Sequence, residues 1–446
     1  MTVENGAAVA EAVTVTNKVM VLPGKAPEKG RCWLATFDLP YITFYYNQKL
    51  MLYKLPAAEF GEVVERLKQG LAVALEYYYP LAGRLRQDEE KVLFVECEGE
   101  GLVGAEVVEA AVEGVSAVEL AEGENAELLQ KLVPYTGVMN LEGLHRPLLA
   151  VQFTKLSDGI AIGCAFNHAI LDGNSTWQFM FSWADLSRGG GGGVLPLPVH
   201  DRTLARSVRL PLALPATAGE HERGDPNGPA RPLVMRVFSF SEAAVDLLKA
   251  RANAGLPPAA KPLSTFQSLG AHVWRSVSRA RELKPEDITV FAIFADCRSR
   301  VDPPMPEAYF GNLIQAIFTG TAAGLLLGSP PEFASGMLQQ VIEAHNAEAI
   351  KKRLEEYEAA PKLFYYSDAG MNCVAVGSSP RFKVYDVDFG FGKPERVRSG
   401  SNNKFDGMVY LYPSREGGRS IDVELTLEAG AMARLEKDED FLLVKP

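Results

Sequence analysis

The stretch Phe166-Asn167-His168-Ala169-Ile170-Leu171-Asp172-Gly173 gathers an imidazole, a carboxylate and a glycine into a few positions. The residues before it, Ile160-Ala161-Ile162-Gly163-Cys164-Ala165, are apolar and read as a buried strand. The residues after it, 174–183, open with Asn174-Ser175-Thr176 and read as a capped amphipathic helix. A histidine at the end of a buried strand is held rigidly, and its imidazole titrates near physiological pH. Those are the requirements of a general base. Gly173 reads as a hinge between the motif and the helix.

Outward from this point, 148–156 and 159–166 form a hairpin whose second strand delivers His168. Residues 60–78 place Phe60, Val63, Val64, Leu67, Leu71, Ala74, Leu75 and Tyr78 at helical spacing. Residues 13–21 and 91–96 are strand-like. Five glycines at 189–193, followed by a Pro-, Arg-, Ala- and Gly-rich segment to Pro232, favour neither helix nor sheet. The second half restarts with a strand at 233–240, helices at 241–254 and 265–281, and a strand at 288–295. A helix follows at 331–359, then strands at 383–387, 407–412 and 421–427. The fold class is therefore α/β, in two lobes: 1–188 carrying the histidine motif and 233–446, joined by a crossover linker, 189–232. The composition of that linker leads us to expect it to be flexible and exposed.

A second motif, Asp388-Phe389-Gly390-Phe391-Gly392, lies far from the first. Together, HxxxDG and this block resemble the plant BAHD acyltransferases, which move an acyl group from coenzyme A to an alcohol or amine. That family carries DFGWG, so Phe391 replaces the usual Trp. Further stretches fit the family: Tyr79-Pro80-Leu81-Ala82-Gly83-Arg84-Leu85, Asp296-Cys297-Arg298-Ser299-Arg300 and Tyr309-Phe310-Gly311-Asn312. The resemblance covers nearly the whole chain. It implies two chloramphenicol-acetyltransferase-like lobes of mixed sheets and helices, with a channel between them. It also implies acyl-CoA as co-substrate, a small-molecule acceptor, no permanently bound cofactor, and a cytoplasmic monomer.

Within that resemblance His168 is the general base. Asp172 admits a triad-like role beside His168 or a structural ion pair; the family favours the ion pair, and Arg300 is the candidate partner. Asp388 is counted with the active site, although the family's loop lies away from the histidine and points to an architectural role. Phe391 keeps the ring but loses the indole N–H donor. Lys261, Ser264 and Thr265 precede a helix, where a lysine and a helix N-terminus suit a phosphate of coenzyme A; Ser264 reads equally as a simple helix cap. Arg381 stands where some hydroxycinnamoyl transferases grip an acidic acceptor, and a surface ion pair explains it as well. Two other readings are a non-catalytic binding protein on the same fold and a condensation-type enzyme fed by a carrier-protein thioester. The intact His168, Asp172 and Gly173 oppose the first. Asn167, standing where the second has its first histidine, opposes the other.

Several classes are excluded or disfavoured. The formal charge is −11, from 45 Lys and Arg against 56 Asp and Glu, and no basic run suits nucleic acid. No apolar run reaches the length of a membrane span. Cys32, Cys97, Cys164, Cys297 and Cys373 are odd in number and without CxxC spacing, so they read as reduced thiols and not as a zinc site. No third ligand accompanies His168 and Asp172, so no metal is expected. Asp388-Phe389-Gly390 lacks the other parts of a kinase. Gly99-Glu100-Gly101-Leu102-Val103-Gly104 matches a dinucleotide loop, but its acidic neighbours would repel a pyrophosphate, and a hairpin turn is expected instead.

Overall fold

Strand Gly159–Phe166 is buried at every position, so it must run through a sheet covered on both faces. The computed structural model describes residues 13–443 except 28, 124–125, 190–192, 216–231, 365–367, 369 and 371. In it this strand pairs antiparallel with Leu149–Lys155 on one side and Asn47–Lys54 on the other. The sheet runs Thr14–Val21, Ala105–Ala111, Leu149–Lys155, Gly159–Phe166, Asn47–Lys54, Arg396–Ser399. Its pairings are antiparallel except between Ala105–Ala111 and Leu149–Lys155. The edge strand Arg396–Ser399 comes from the second half of the chain, with Ser399 opposite Lys49. The second half thus supplies a strand to the first half's sheet.

The second sheet runs Ile314–Ala322, Ile288–Asp296, Cys373–Val376, Met408–Pro413, Ile421–Glu428, Leu233–Phe240. It too mixes parallel and antiparallel pairs. A small third sheet holds Arg31–Trp33, Leu93–Glu96 and Arg84–Gln87. Helix Phe60–Tyr77 buries the face carrying Val63, Val64, Leu67, Leu71, Ala74 and Leu75. It packs closely on helix Gly173–Ser187. A Cβ on Gly70 would stand 2.9 Å from the Ser187 Cα, so only glycine permits that approach. The Trp183 indole donates to the Leu67 carbonyl at 3.0 Å across the same contact.

The strands expected at 148–156, 159–166, 233–240 and 421–427 are present to within a residue at each end. Three expectations need correction. The helix expected over 331–359 is two, Pro331–Ala344 and Ala347–Ala359, because the Asn346 side chain caps the second by accepting from Ala349 N. Residues 384–386 form a 3-10 turn and not a strand. The glycine-rich turn at 99–101 joins Leu93–Glu96 to a different sheet, so it is not a hairpin. The described part of the linker, 193–215, makes backbone hydrogen bonds to both halves. Val199 N donates to Ala308 O and Val199 O accepts from Phe310 N, while Leu212 N donates to Lys91 O. Arg202, only 4% exposed, is buried between the two halves. Residues 190–192 and 216–231 lie outside the described residues.

Candidate active site

His168 lies in the turn just beyond strand Gly159–Phe166, at the wall of a narrow cavity. Tyr41, Asn47, Lys49 and Trp177 from the first half face it, as do Phe294, Ile314, Phe382 and Tyr410 from the second. The lining is chiefly aromatic. The His168 ring stacks on Tyr41, with centroids 4.8 Å apart and planes 11° from parallel. The Tyr41 hydroxyl is turned away, donating to Ile314 O at 3.1 Å.

The loop that carries His168 is fixed through its backbone. Asn140 Oδ1 accepts from His168 N at 2.8 Å, and Asn312 Nδ2 donates to His168 O at 2.8 Å. Asn167 Nδ2 donates to Asn140 O, and Arg202 Nη2 donates to Ile170 O, both at 2.8 Å. Asp38, fully buried, joins these clamps. Its carboxylate accepts from Arg202 Nη1 at 2.6 Å, from Asn312 N and Nδ2, and from Ala35 N. The imidazole is therefore positioned by the first half, the linker and the second half together. Its Nδ1 is buried, and no group among the described residues meets hydrogen-bond geometry with it. Burial lowers the His168 pKa below its ordinary value, outweighing the opposing pull of its own backbone carbonyl and of Asp172. The ring is thus biased towards the neutral form that accepts a proton.

Asp172 does not face that ring nitrogen. Its carboxylate is fully buried and held by Arg298, Nη1 to Oδ2 at 2.8 Å and Nη2 to Oδ1 at 3.0 Å. Ser175 N and Leu313 N supply two more hydrogen bonds, each at 3.0 Å. Four donors fill the lone-pair directions of the two oxygens. Burial alone would raise the carboxyl pKa; Arg298 and the backbone donors hold it below the usual carboxylate range. The expected partner, Arg300, is elsewhere: its Nη1 donates to the carbonyls of Ile342 and His345. Two residues of register separate these arginines, and sequence alone does not say which one turns inward. Gly173 is the first residue of helix Gly173–Ser187, capped by Asp172, and not a hinge. A Cβ there would meet the Phe382 ring at 3.1 Å, so the glycine keeps the cavity wall open.

The second motif sits outside the cavity lining. Asp388 Oδ1 accepts from Gly390 N at 2.7 Å and Gly392 N at 2.9 Å. Both glycines have positive φ, 98° and 97°, which the turn requires. Among the described residues Asp388 pairs with Arg188 at 3.8 Å, itself 40% exposed, and with no buried arginine. Phe389 packs edge-on against Trp183 at 4.8 Å, and Phe391 against Tyr53 at 5.0 Å.

The expected coenzyme A residues also stand apart from the cavity lining. Ser264 caps helix Thr265–Ala280 in a reciprocal capping box with Gln267. Lys261 is 72% exposed and paired with Glu343 at 2.6 Å. Arg381 is exposed and has no ion pair among the described residues. Among the described residues no cluster of His, Cys, Asp and Glu could hold a metal ion, and the five cysteines are buried and free. No helix among them is long and apolar enough to cross a membrane.

Sequence reasoning missed Asp38, Asn140, Arg202 and Lys49. The first three are polar residues in otherwise apolar or loop segments, and each makes a hydrogen bond to a residue 99 to 274 positions away: Asn140 to Tyr41, Arg202 to Asp38 and Asp38 to Asn312. Lys49 carried a usable signal: it is a lysine inside the apolar strand Asn47–Lys54, buried at 4% exposure.

The model of the family described as "Transferase family" matches residues 11–442. The chain belongs to this family, that of the BAHD acyltransferases. The BAHD acyltransferase DCR of Arabidopsis thaliana is 53% identical over 448 residues, covering 97% of this chain and 92% of that protein. The oat (Avena sativa) hydroxycinnamoyl-CoA:5-hydroxyanthranilate N-hydroxycinnamoyltransferase HHT4 is 29% identical, covering 96% and 99%. Among solved structures, vinorine synthase aligns with a TM-score of 0.72 at 23% identity, over 97% of this chain and 100% of that one. The TRI101 protein of F. sporotrichioides, complexed with coenzyme A and T-2, aligns with a TM-score of 0.74 at 18% identity, over 93% and 98%. These two alignments establish a shared fold. The BAHD membership carries acyl transfer as the general chemistry.

Proposed function

We propose that this BAHD family member transfers an acyl group from coenzyme A to a hydroxyl of a small plant metabolite of specialised, cuticular or hormone metabolism. The observation that carries this reading is His168: a clamped imidazole, biased to neutrality, facing a cavity lined from both halves of the chain. A thioester is already activated, so no enzyme nucleophile is required. The acceptor oxygen attacks the thioester carbonyl while His168 takes the hydroxyl proton. The tetrahedral intermediate then collapses, the C–S bond breaks, and His168 returns the proton to the departing thiolate. The products are an ester and free coenzyme A.

Asp172 supports this chemistry from behind, fixing the start of helix Gly173–Ser187 and the loop before it through Arg298. Asp388 holds the turn of its own loop. We assign the coenzyme A phosphates to the surface around Lys261 and the N-terminus of Thr265–Ala280, where Lys261 would exchange Glu343 for phosphate. Ser264 and Thr265 contribute there through the helix end. The working form is a cytoplasmic monomer of two lobes.

The test is turnover by the purified protein. A panel of acyl-CoA donors crossed with hydroxylated and amine acceptors, read by mass spectrometry and by thiol release, should yield esters. Amide products alone would overturn O-acylation. Absence of thiol release with every donor, despite donor binding, would overturn the enzymatic reading.

A further inference from the structure

The catalytic cavity contains a buried cation that the reaction as written does not use. Lys49 lies in strand Asn47–Lys54, 4% exposed, and faces the same cavity as His168. Its ammonium has three donors, and the structure satisfies one: Nζ donates to Asn47 Oδ1 at 3.2 Å. The Tyr410 ring lies 5.6 Å away. No carboxylate lies within 4.0 Å of Lys49 among the described residues. Glu424 is committed elsewhere, to Lys404, Ser399 Oγ and Ser399 N. Burial lowers the Lys49 pKa to about 8; Glu424 opposes this and Lys404 reinforces it. It therefore stays largely protonated at neutral pH.

A buried charge is normally paired, because leaving water costs it far more than a hydrogen bond returns. Here the pairing is missing on the side that faces the cavity. Asn47 also lines the cavity, and its Nδ2 makes no hydrogen bond among the described residues. An ammonium and an amide N–H₂ side by side match the two oxygens of a carboxylate. A doubly charged phosphate would be only half neutralised, because the surrounding wall is aromatic.

We propose that Lys49, with Asn47, binds the carboxylate of the acceptor, so that the acceptor class is a hydroxy acid with an apolar body. This rests on the proposed transfer reaction for its catalytic consequence, but not for the binding itself. The hydroxyl of such an acceptor meets His168 while its carboxylate meets Lys49. Lys49 is a specificity residue and takes no part in the proton transfer.

The test compares ω-hydroxylauric acid and hydroxyphenylpropionic acid with their methyl esters, as acceptors and as ligands, in the wild type, Lys49→Met, Lys49→Arg and Arg381→Ala. For at least one pair the wild type should favour the acid over the ester by about tenfold or more in kcat/KM, the scale of a charge-assisted hydrogen bond. That ratio should fall to about one in Lys49→Met, be largely kept in Lys49→Arg and be unchanged in Arg381→Ala. Calorimetric binding of the acids to wild type and Lys49→Met should show the same loss without any turnover. This reading separates failure of the site from failure of the transfer chemistry. Equal loss of kcat on acid and ester in Lys49→Met would assign Lys49 to the thioester oxyanion and overturn the proposal. So would a preference for esters in the wild type, or a ratio that collapses in Arg381→Ala instead.

Discussion

The two motif loops each carry an aspartate, and the structure treats the two carboxylates in opposite ways. Asp172 is fully buried and bound to a nearly buried arginine from the other half of the chain. Asp388 is 33% exposed and bound chiefly to the amides of its own turn. One carboxylate holds two halves together beneath the candidate base; the other shapes a local turn whose aromatics plug into the first half. A motif aspartate is therefore no evidence of chemistry by itself. What matters is how much of its shell is long-range and how far it is removed from water.

The largest effect should come from the residue between these roles. His168→Ala should lower turnover by about 10²–10⁴-fold while leaving the melting temperature near wild type. Near wild-type turnover at saturating substrate would remove His168 as the base. Next, Asp172→Asn should cost about 3 kcal/mol in denaturant unfolding, because the buried Arg298 would keep only the part-exposed Asp296 as counter-charge. A fully stable but inactive Asp172→Asn protein would move Asp172 into the chemistry.

A third expectation concerns pH. His168 must be neutral to accept a proton, and burial places its pKa below the ordinary value of about 6.5. The acid limb of kcat/KM should therefore fall by about tenfold per pH unit only below that value. The limb should vanish from the residual activity of His168→Ala. An acid limb centred above pH 7 would mean that the imidazole is stabilised as a cation.

Asp388→Asn should be milder than Asp172→Asn, at about 1 kcal/mol, because a neutral amide oxygen still accepts from Gly390 and Gly392. Equal destabilisation of the two variants would erase the contrast between the loops. The smallest effect should be Phe391→Trp, restoring the family's usual residue, with kcat/KM changed by about twofold or less. A gain of tenfold would place this loop in contact with the reacting groups.

Local patterns and tertiary contacts divided the work unevenly. The hairpin delivering His168 was legible because alternating and continuous apolar runs fix a strand's register and its burial. The helix Phe60–Tyr77 was legible for the matching reason at helical spacing. Strand Asn47–Lys54 was hidden by its polar ends and internal lysine, although it is central to the sheet. The linker's composition suggested a tether, yet Val199 and Arg202 find partners on both sides.

By itself the sequence determined which residue is the candidate base, since strand, histidine and capped helix are contiguous and their physics is local. For Asp172 it left a triad-like role and an ion pair open, and the family resemblance favoured the ion pair, with Arg300 as the candidate partner. Only the tertiary structure decided that Arg298 and not Arg300 turns inward. Only the tertiary structure decided that Asp38, Arg202 and Asn312 clamp the loop, and that Lys49 shares its cavity. Those choices depend on desolvation and on hydrogen bonds between segments more than a hundred residues apart, which no local pattern encodes.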